Sequence, residues 1–168
     1  MNACQNGVEA ELHSLCAELV AELGRRGLTL GTCESLTGGG LAAALTSVPG
    51  ASRVFRGGLV TYASDLKSSL VGVDATLVAR EGVINEATAR QMADGASRAL
   101  GVDVALSCTG VAGPDPQDGQ PPGVVWAGLR MPDGRVLTER LDLTGDRATI
   151  RQLTVFACLR LAREWVCS

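Results

Sequence analysis

Two residue types are nearly missing from this chain. Its 168 residues hold one histidine, His13, and one lysine, Lys67, although Lys and Arg together number 15. With one histidine, zinc signatures that need two are excluded, and a Ser-His-Asp triad would have to recruit His13. His13 falls just off an apolar helical stripe, the place of an ordinary surface residue. Aromatics make up 3% of the chain, and none of the six cysteines forms a C-x-x-C pair, which excludes a zinc ribbon and a thioredoxin-type motif. Cys4, Cys16, Cys158 and Cys167 lie in or near terminal helical patterns and read as small buried thiols. No apolar run approaches the roughly 18 residues of a membrane span. The first segment carries Glu9, Glu11 and Glu18 and no basic stretch, unlike a secretory signal, so a cytoplasmic location without structural disulfides is expected. The formal net charge of −3 argues against a phosphate-neutralising surface, so no nucleic-acid partner is expected.

What is present is an apolar chain (46%) rich in glycine, long enough to build one core without staples. From Val8 to Arg26, Leu12, Leu15, Cys16, Leu19, Val20 and Leu23 recur at helical spacing, and the pattern stops at Gly27. A short apolar run, LTLGTCES, leads into TGGGLAAALTSV, a strand followed by a helix. A second β-rich run spans Arg53 to Ala63, a short helix Asp65 to Val71, and a longer one Glu86 to Leu100. VDVALSCTG reads as a buried strand, and the loop after it holds four Gly and four Pro between residues 110 and 123. That composition marks a functional loop or lid. VVWAGLRM and RVLTERLDL flank Pro132-Asp133-Gly134 as a hairpin, and a last helix runs from Asp146 to Val166. With no repeat or composition shift, the pattern predicts one domain over 1–168. Its expected class is α/β, a three-layer α/β/α sandwich with a mixed, mostly parallel sheet and a late hairpin.

Three polar constellations sit where strands end. In CESLTGGG the glycines permit a tight turn into a helix whose first N–H groups lack partners. Such an end attracts a phosphate or the oxyanion of acyl transfer, with Ser35 and Thr37 at its mouth; equally, either hydroxyl caps the helix. The Walker A and G-x-G-x-x-G fingerprints are absent. GGLVTYASDLK holds the only tyrosine, Tyr62, and the only lysine. A lone lysine in a chain that uses arginine at all fourteen other basic positions points to reversible proton transfer, which arginine cannot perform. In SCTGVAGPDP, Thr109, Gly110 and Gly113 form an anion nest or merely a turn. Arg147 and Arg151, one helical turn apart, either clamp an anion or form a solvated pair. Trp126 stacks on a ligand ring or, more in keeping with its strand position, fills the core.

The strings ESLTGG, VPGASRVFRGGLVTYASDLK, TGVAGP, PPGVVWAGL and GDRATIR, in this order from about Leu15 to Val166, resemble the CinA C-terminal domain, also called the PncC family. The ordered set is specific although no single string is. The resemblance implies a nicotinamide mononucleotide deamidase, in which water converts the carboxamide to a carboxylate with release of ammonia in pyridine-nucleotide salvage. It implies catalytic roles for Ser35, Tyr62 and Lys67, the residues the local pattern also selects. At Leu36 the chain departs from the many relatives with cysteine there, so a thiol nucleophile is not assigned. The resemblance does not extend to the molybdopterin-binding-related domain of long family members, and no activity of that domain is carried over.

Together these readings predict serine acyl transfer without histidine, cofactor or metal. Ser35 attacks, Lys67 takes the proton, Tyr62 relays it or protonates departing ammonia, and N–H groups at Thr37, Gly38 and Gly39 hold the oxyanion. Thr109 to Gly113, or Arg147, holds the phosphate. A homo-oligomer without membrane contact is expected. The competing reading is a module of this competence- and damage-associated family that binds a nucleotide or a protein without chemistry.

Overall fold

A computed structural model describes residues 3–167; the side chains before Gly7, and that of Val8, lie outside the described set, and Cys4 with them. The first stripe forms α1 (Ala3–Arg26), which starts earlier than its periodicity indicates. Strand β1 (Leu30–Glu34) is buried at every position and leads through a glycine turn into α2 (Gly40–Thr46). Next come β2 (Phe55–Val60), α3 (Ser64–Val71), α4 (Ala75–Glu81) and α5 (Glu86–Leu100). β3 (Val104–Gly110), the hairpin β4 (Val124–Arg130) and β5 (Val136–Asp142), and α6 (Arg147–Val166) complete the order. The segment between Val71 and Glu86 carries no clear sequence pattern, yet it forms α4. That helix is two turns long with Leu77 as its one buried residue, too few positions to show a period. Its start is closed by Asp74, whose side chain accepts from the Thr76 N–H.

The sheet order is β2-β1-β3-β4-β5. β1 pairs in parallel with β2 and β3, whereas β4 is antiparallel to both β3 and β5, so β4 alone runs against the rest. Alternation along the strands separates two apolar layers. Leu30, Val104, Leu106, Cys108, Val125, Ala127 and Leu129 join α1, α2 and α6 on one face. Cys33 and Ala105 join Val71, Met92, Ala96 and Val102 of the α3–α5 side on the other. This is the three-layer α/β/α arrangement with a mixed sheet. Among the described residues no helix is long and apolar enough to cross a membrane.

The connection from β1 runs to β2 on one side, while β3 lies on the other. A crevice therefore opens at the carboxyl end of β1, the switch point where open α/β sheets place ligands. The 110–123 loop that borders it is tied down at several points. Gly123 N–H donates to the Val111 carbonyl (2.8 Å), Gln117 and Gln120 pair, and Asp118 accepts from the Val83 N–H (2.7 Å). Cys16 and Cys158 are buried free thiols, but Cys167 at the end of α6 is exposed, contrary to the buried reading. His13 is exposed, as expected. Trp126 packs with Val83, Ile84, Val111 and Val124, the core-filling alternative.

The α3–α5 contact is close because Gly95 has no side chain: a methyl there would overlap the Val71 carbonyl oxygen. Gly95→Ala gains about 1 kcal/mol of helix propensity, against roughly 1–3 kcal/mol or more for overpacking a tight backbone contact. The variant is expected to unfold at lower urea concentration than the parent; a higher midpoint would mean that α3 yields without cost.

Candidate active site

β1 delivers Ser35 to the crevice. The Ser35 N–H continues the ladder by donating to the Cys108 carbonyl (3.1 Å), after which the chain reverses toward α2. The reversal needs left-handed backbone at Gly38 (φ 60) and Gly39 (φ 95), conformations open to glycine at little cost. Glu34, fully buried beside Ser35, closes the start of α2 from outside the helix. Its carboxylate accepts from the N–H groups of Gly39 (3.0 Å), Leu41 (2.9 Å) and Ala42 (2.8 Å) and from the Thr37 hydroxyl (2.7 Å). A carboxylate against the positive end of a helix is favourable, and these donors leave it well satisfied.

The structure therefore corrects one expectation. The Gly39 N–H is engaged by Glu34 and the Gly38 N–H by the Ser35 carbonyl (3.0 Å), so neither is available as an oxyanion donor, and the Thr37 hydroxyl is also held by Glu34, whereas the Thr37 N–H has no acceptor among the described residues. The N–H of Leu36, the residue after the serine, likewise donates to no acceptor among the described residues. Glu34 was not singled out from sequence. An acidic residue just before a Gly-rich helix start was its only signal.

Lys67 projects from α3 into the layer behind Ser35 and is 1% exposed. Its Nζ lies 2.7 Å from the Thr61 carbonyl oxygen and 3.2 Å from Ser35 Oγ, both uncharged. Burial holds the ammonium below the ordinary lysine range, opposed by the weaker pull of Cys33, Cys108, Asp118 and Asp65. The Cys33 thiol, 3.5 Å from the Thr61 hydroxyl, is pushed up to about 12 by burial, which suits packing rather than attack.

In front of the serine lies a small cleft of about 100 Å³, whose lining includes Ser35, Leu36, Tyr62, Gly110, Gly113 and Arg147, together with Asp115 and Gln117. Tyr62 is 55% exposed, and its phenol oxygen accepts from Arg147 Nη2 (2.7 Å). No hydrogen bond among the described residues joins it to Ser35 or Lys67, so the expected relay is replaced by a place in the cleft wall. Arg147 Nη1 also donates to the Gly113 carbonyl (2.8 Å), while the Ala112 and Gly113 N–H groups have no acceptor among the described residues. Thr109 is fully buried and its hydroxyl donates to the Val83 carbonyl (2.8 Å), away from the cleft. Arg151 does not join Arg147 in a clamp; it bonds the Leu36 and Thr37 carbonyls instead. Among the described residues no cluster of three His, Cys, Asp or Glu side chains is arranged to hold a metal.

Residues 12–166 match the family model described as the CinA C-terminal domain. The chain belongs to the CinA C-terminal domain family. It is 39% identical over 160 residues to the nicotinamide-nucleotide amidohydrolase PncC of Enterobacter agglomerans, covering 94% of this chain and 98% of that protein. It is 47% identical over 151 residues to a CinA-like protein of Frankia casuarinae, covering 90% of this chain but 35% of that protein. The chain thus spans about a third of the length of that longer relative. Among solved structures, competence damage-inducible protein A from Klebsiella pneumoniae superposes with a TM-score of 0.89 at 33% identity, over 93% of this chain and 97% of that one. A CinA superfamily protein from Escherichia coli gives 0.87 at 30% identity, over 94% and 90%.

In this CinA-type domain, a lysine whose folded value is depressed binds fewer protons than the unfolded chain in the window between its folded and ordinary values. Stability therefore rises with pH through that window, up to about 10.4, and the deficit is largest below it. Lys67→Met, which keeps length and apolar packing, is expected to abolish this rise and to gain stability over the parent most at the acidic end. Identical pH slopes in denaturant titrations of the two proteins would contradict a buried neutral amine.

Proposed function

We propose that this chain hydrolyses the carboxamide of nicotinamide mononucleotide, giving nicotinate mononucleotide and ammonia through a seryl acyl-enzyme. The reading is carried by the buried Lys67 amine 3.2 Å from Ser35 Oγ, at the carboxyl end of the central strands. Similarity to PncC along nearly its full length supports the substrate class.

Ser35 Oγ attacks the carboxamide carbon while Lys67 takes its proton. The Thr61 carbonyl can only accept, so it takes one N–H of the amine and leaves the lone pair free for Ser35. The oxyanion is held by the Leu36 N–H, the donor that follows the nucleophile directly. The tetrahedral adduct collapses as the protonated lysine returns its proton to the leaving nitrogen, and ammonia departs. Water, deprotonated by the same amine, then attacks the acyl carbon; the lysine returns that proton to the departing Ser35 Oγ, and the product acid ionises to the carboxylate in solvent. The small cleft takes the ring end against Tyr62, with the ribose phosphate toward the rim. There Arg147 exchanges two neutral acceptors, Tyr62 and Gly113, for a charged one, a stronger bond, and the Ala112 and Gly113 N–H groups complete an anion nest.

Ammonia release is expected from nicotinamide mononucleotide, with the riboside and free nicotinamide much poorer. Arg147→Ala should raise KM for the mononucleotide about 10- to 100-fold, the loss of a charged hydrogen bond, and leave the riboside unaffected. Lys67→Met should lower kcat by about 10² to 10⁴, and Ser35→Ala should abolish the acyl-enzyme seen by intact-mass measurement. Full turnover by Lys67→Met would remove the lysine from the mechanism.

A further inference from the structure

The turn that carries Ser35 is held at its N–H groups and at its carbonyls. Glu34 binds the N–H group of Gly39 and, in the first turn of α2, those of Leu41 and Ala42. Arg151 of α6 donates through Nε to the Leu36 carbonyl (3.0 Å) and through Nη2 to the Thr37 carbonyl (2.7 Å). These carbonyls belong to the two residues that follow Ser35, more than a hundred positions earlier in the chain. One planar guanidinium meets both at fixed separation, which a lysine ammonium cannot reproduce. The acceptors are backbone, so Arg151 offers these donors to the protein and not to a ligand in the cleft.

We infer that Arg151 is a positioning residue for the reaction: it fixes the Ser35–Thr37 turn so that Ser35 Oγ meets Lys67 and the Leu36 N–H faces the developing oxyanion. The inference rests on Ser35 as nucleophile. Its physical content is that the peptide groups after the serine have their carbonyl ends anchored. The Ser35 carbonyl accepts from Gly38, the Leu36 carbonyl from Arg151, and the Thr37 carbonyl from Gly40 and Arg151. Anchored carbonyls prevent the peptide planes from rotating and strengthen the N–H at the opposite end of each plane. Behind Arg151 a groove of about 270 Å³, which Leu12, Gly40, Gln152 and Val155 help to line, opens to solvent. A guanidinium ion can therefore reach the place that the side chain vacates.

The test compares Arg151→Ala, Arg151→Lys and the parent by ammonia release and by the rate at which a fluorophosphonate phosphonylates Ser35, a readout that needs no amide substrate. Arg151→Ala is expected to lower kcat and the phosphonylation rate by about 10²-fold, the cost of a misplaced reacting group, with KM within about twofold and the pH profile unmoved. Arg151→Lys recovers only part of this, and added ethylguanidinium restores Arg151→Ala at least about 10-fold without changing the parent. A rise in KM with kcat unchanged would make Arg151 a substrate ligand and overturn the inference. So would lower thermal stability with unchanged rates per folded molecule, or failure of guanidinium rescue. If Arg151→Ala does not fold, Arg151→Lys at the parent rate overturns it equally. A parent that phosphonylates but releases no ammonia would sink the proposed substrate while leaving the Arg151 comparison intact.

Discussion

Water is kept from one amine. Lys67 is sealed behind Ser35 with only uncharged oxygens beside it, and the cost of a charge in that place favours the free base. A neutral amine in hydrogen-bond contact with a hydroxyl can take its proton, a role for which a solvated ammonium is unsuited. The remaining architecture serves that contact. α3 brings the lysine under the sheet edge, the Thr61 carbonyl orients it, and β1 supplies the hydroxyl from the opposite direction.

The turn after Ser35 is held by charged side chains at both its N–H groups and its carbonyls. The amino end of α2 would ordinarily be an anion site, and here a buried carboxylate from the same chain already occupies it. With Glu34 taking those N–H groups, they are not free for an incoming anion. The unpaired Ala112 and Gly113 N–H groups and Arg147 lie along the 110–113 segment and the start of α6. The site thereby separates an inner pair, Ser35 and Lys67, from an outer rim of Tyr62, Gly113 and Arg147.

How much of this was legible in the sequence depended on the kind of signal. A single lysine among arginines is a compositional anomaly, and it led to Lys67 without any geometry. Strand-end glycines marked Ser35 and the loop near Gly110, and the alternation of helices and strands led to the layered sheet. The roles of Gly38, Gly39 and Thr109 were misread because local pattern shows a free donor but not the acceptor that takes it: the Ser35 carbonyl for the first, Glu34 for the second and the Val83 carbonyl for the third. Arg151 looked like half of an anion clamp because i,i+4 spacing says that two side chains share a face. It says nothing of backbone carbonyls across the fold. The Thr61 carbonyl has no sequence signature, since every residue carries one.

Because the chain has one lysine, the protonation of that amine can be read without assignment ambiguity. Lysine labelled with ¹³C at the ε carbon gives a single side-chain resonance, whose shift followed against pH reports its titration midpoint in the folded protein. The account predicts a midpoint clearly below the ordinary lysine value of about 10.4, returning toward it when the protein is unfolded in urea. A folded-state midpoint at or above that value would mean a charged amine beside Ser35, and the proposed chemistry would have no base.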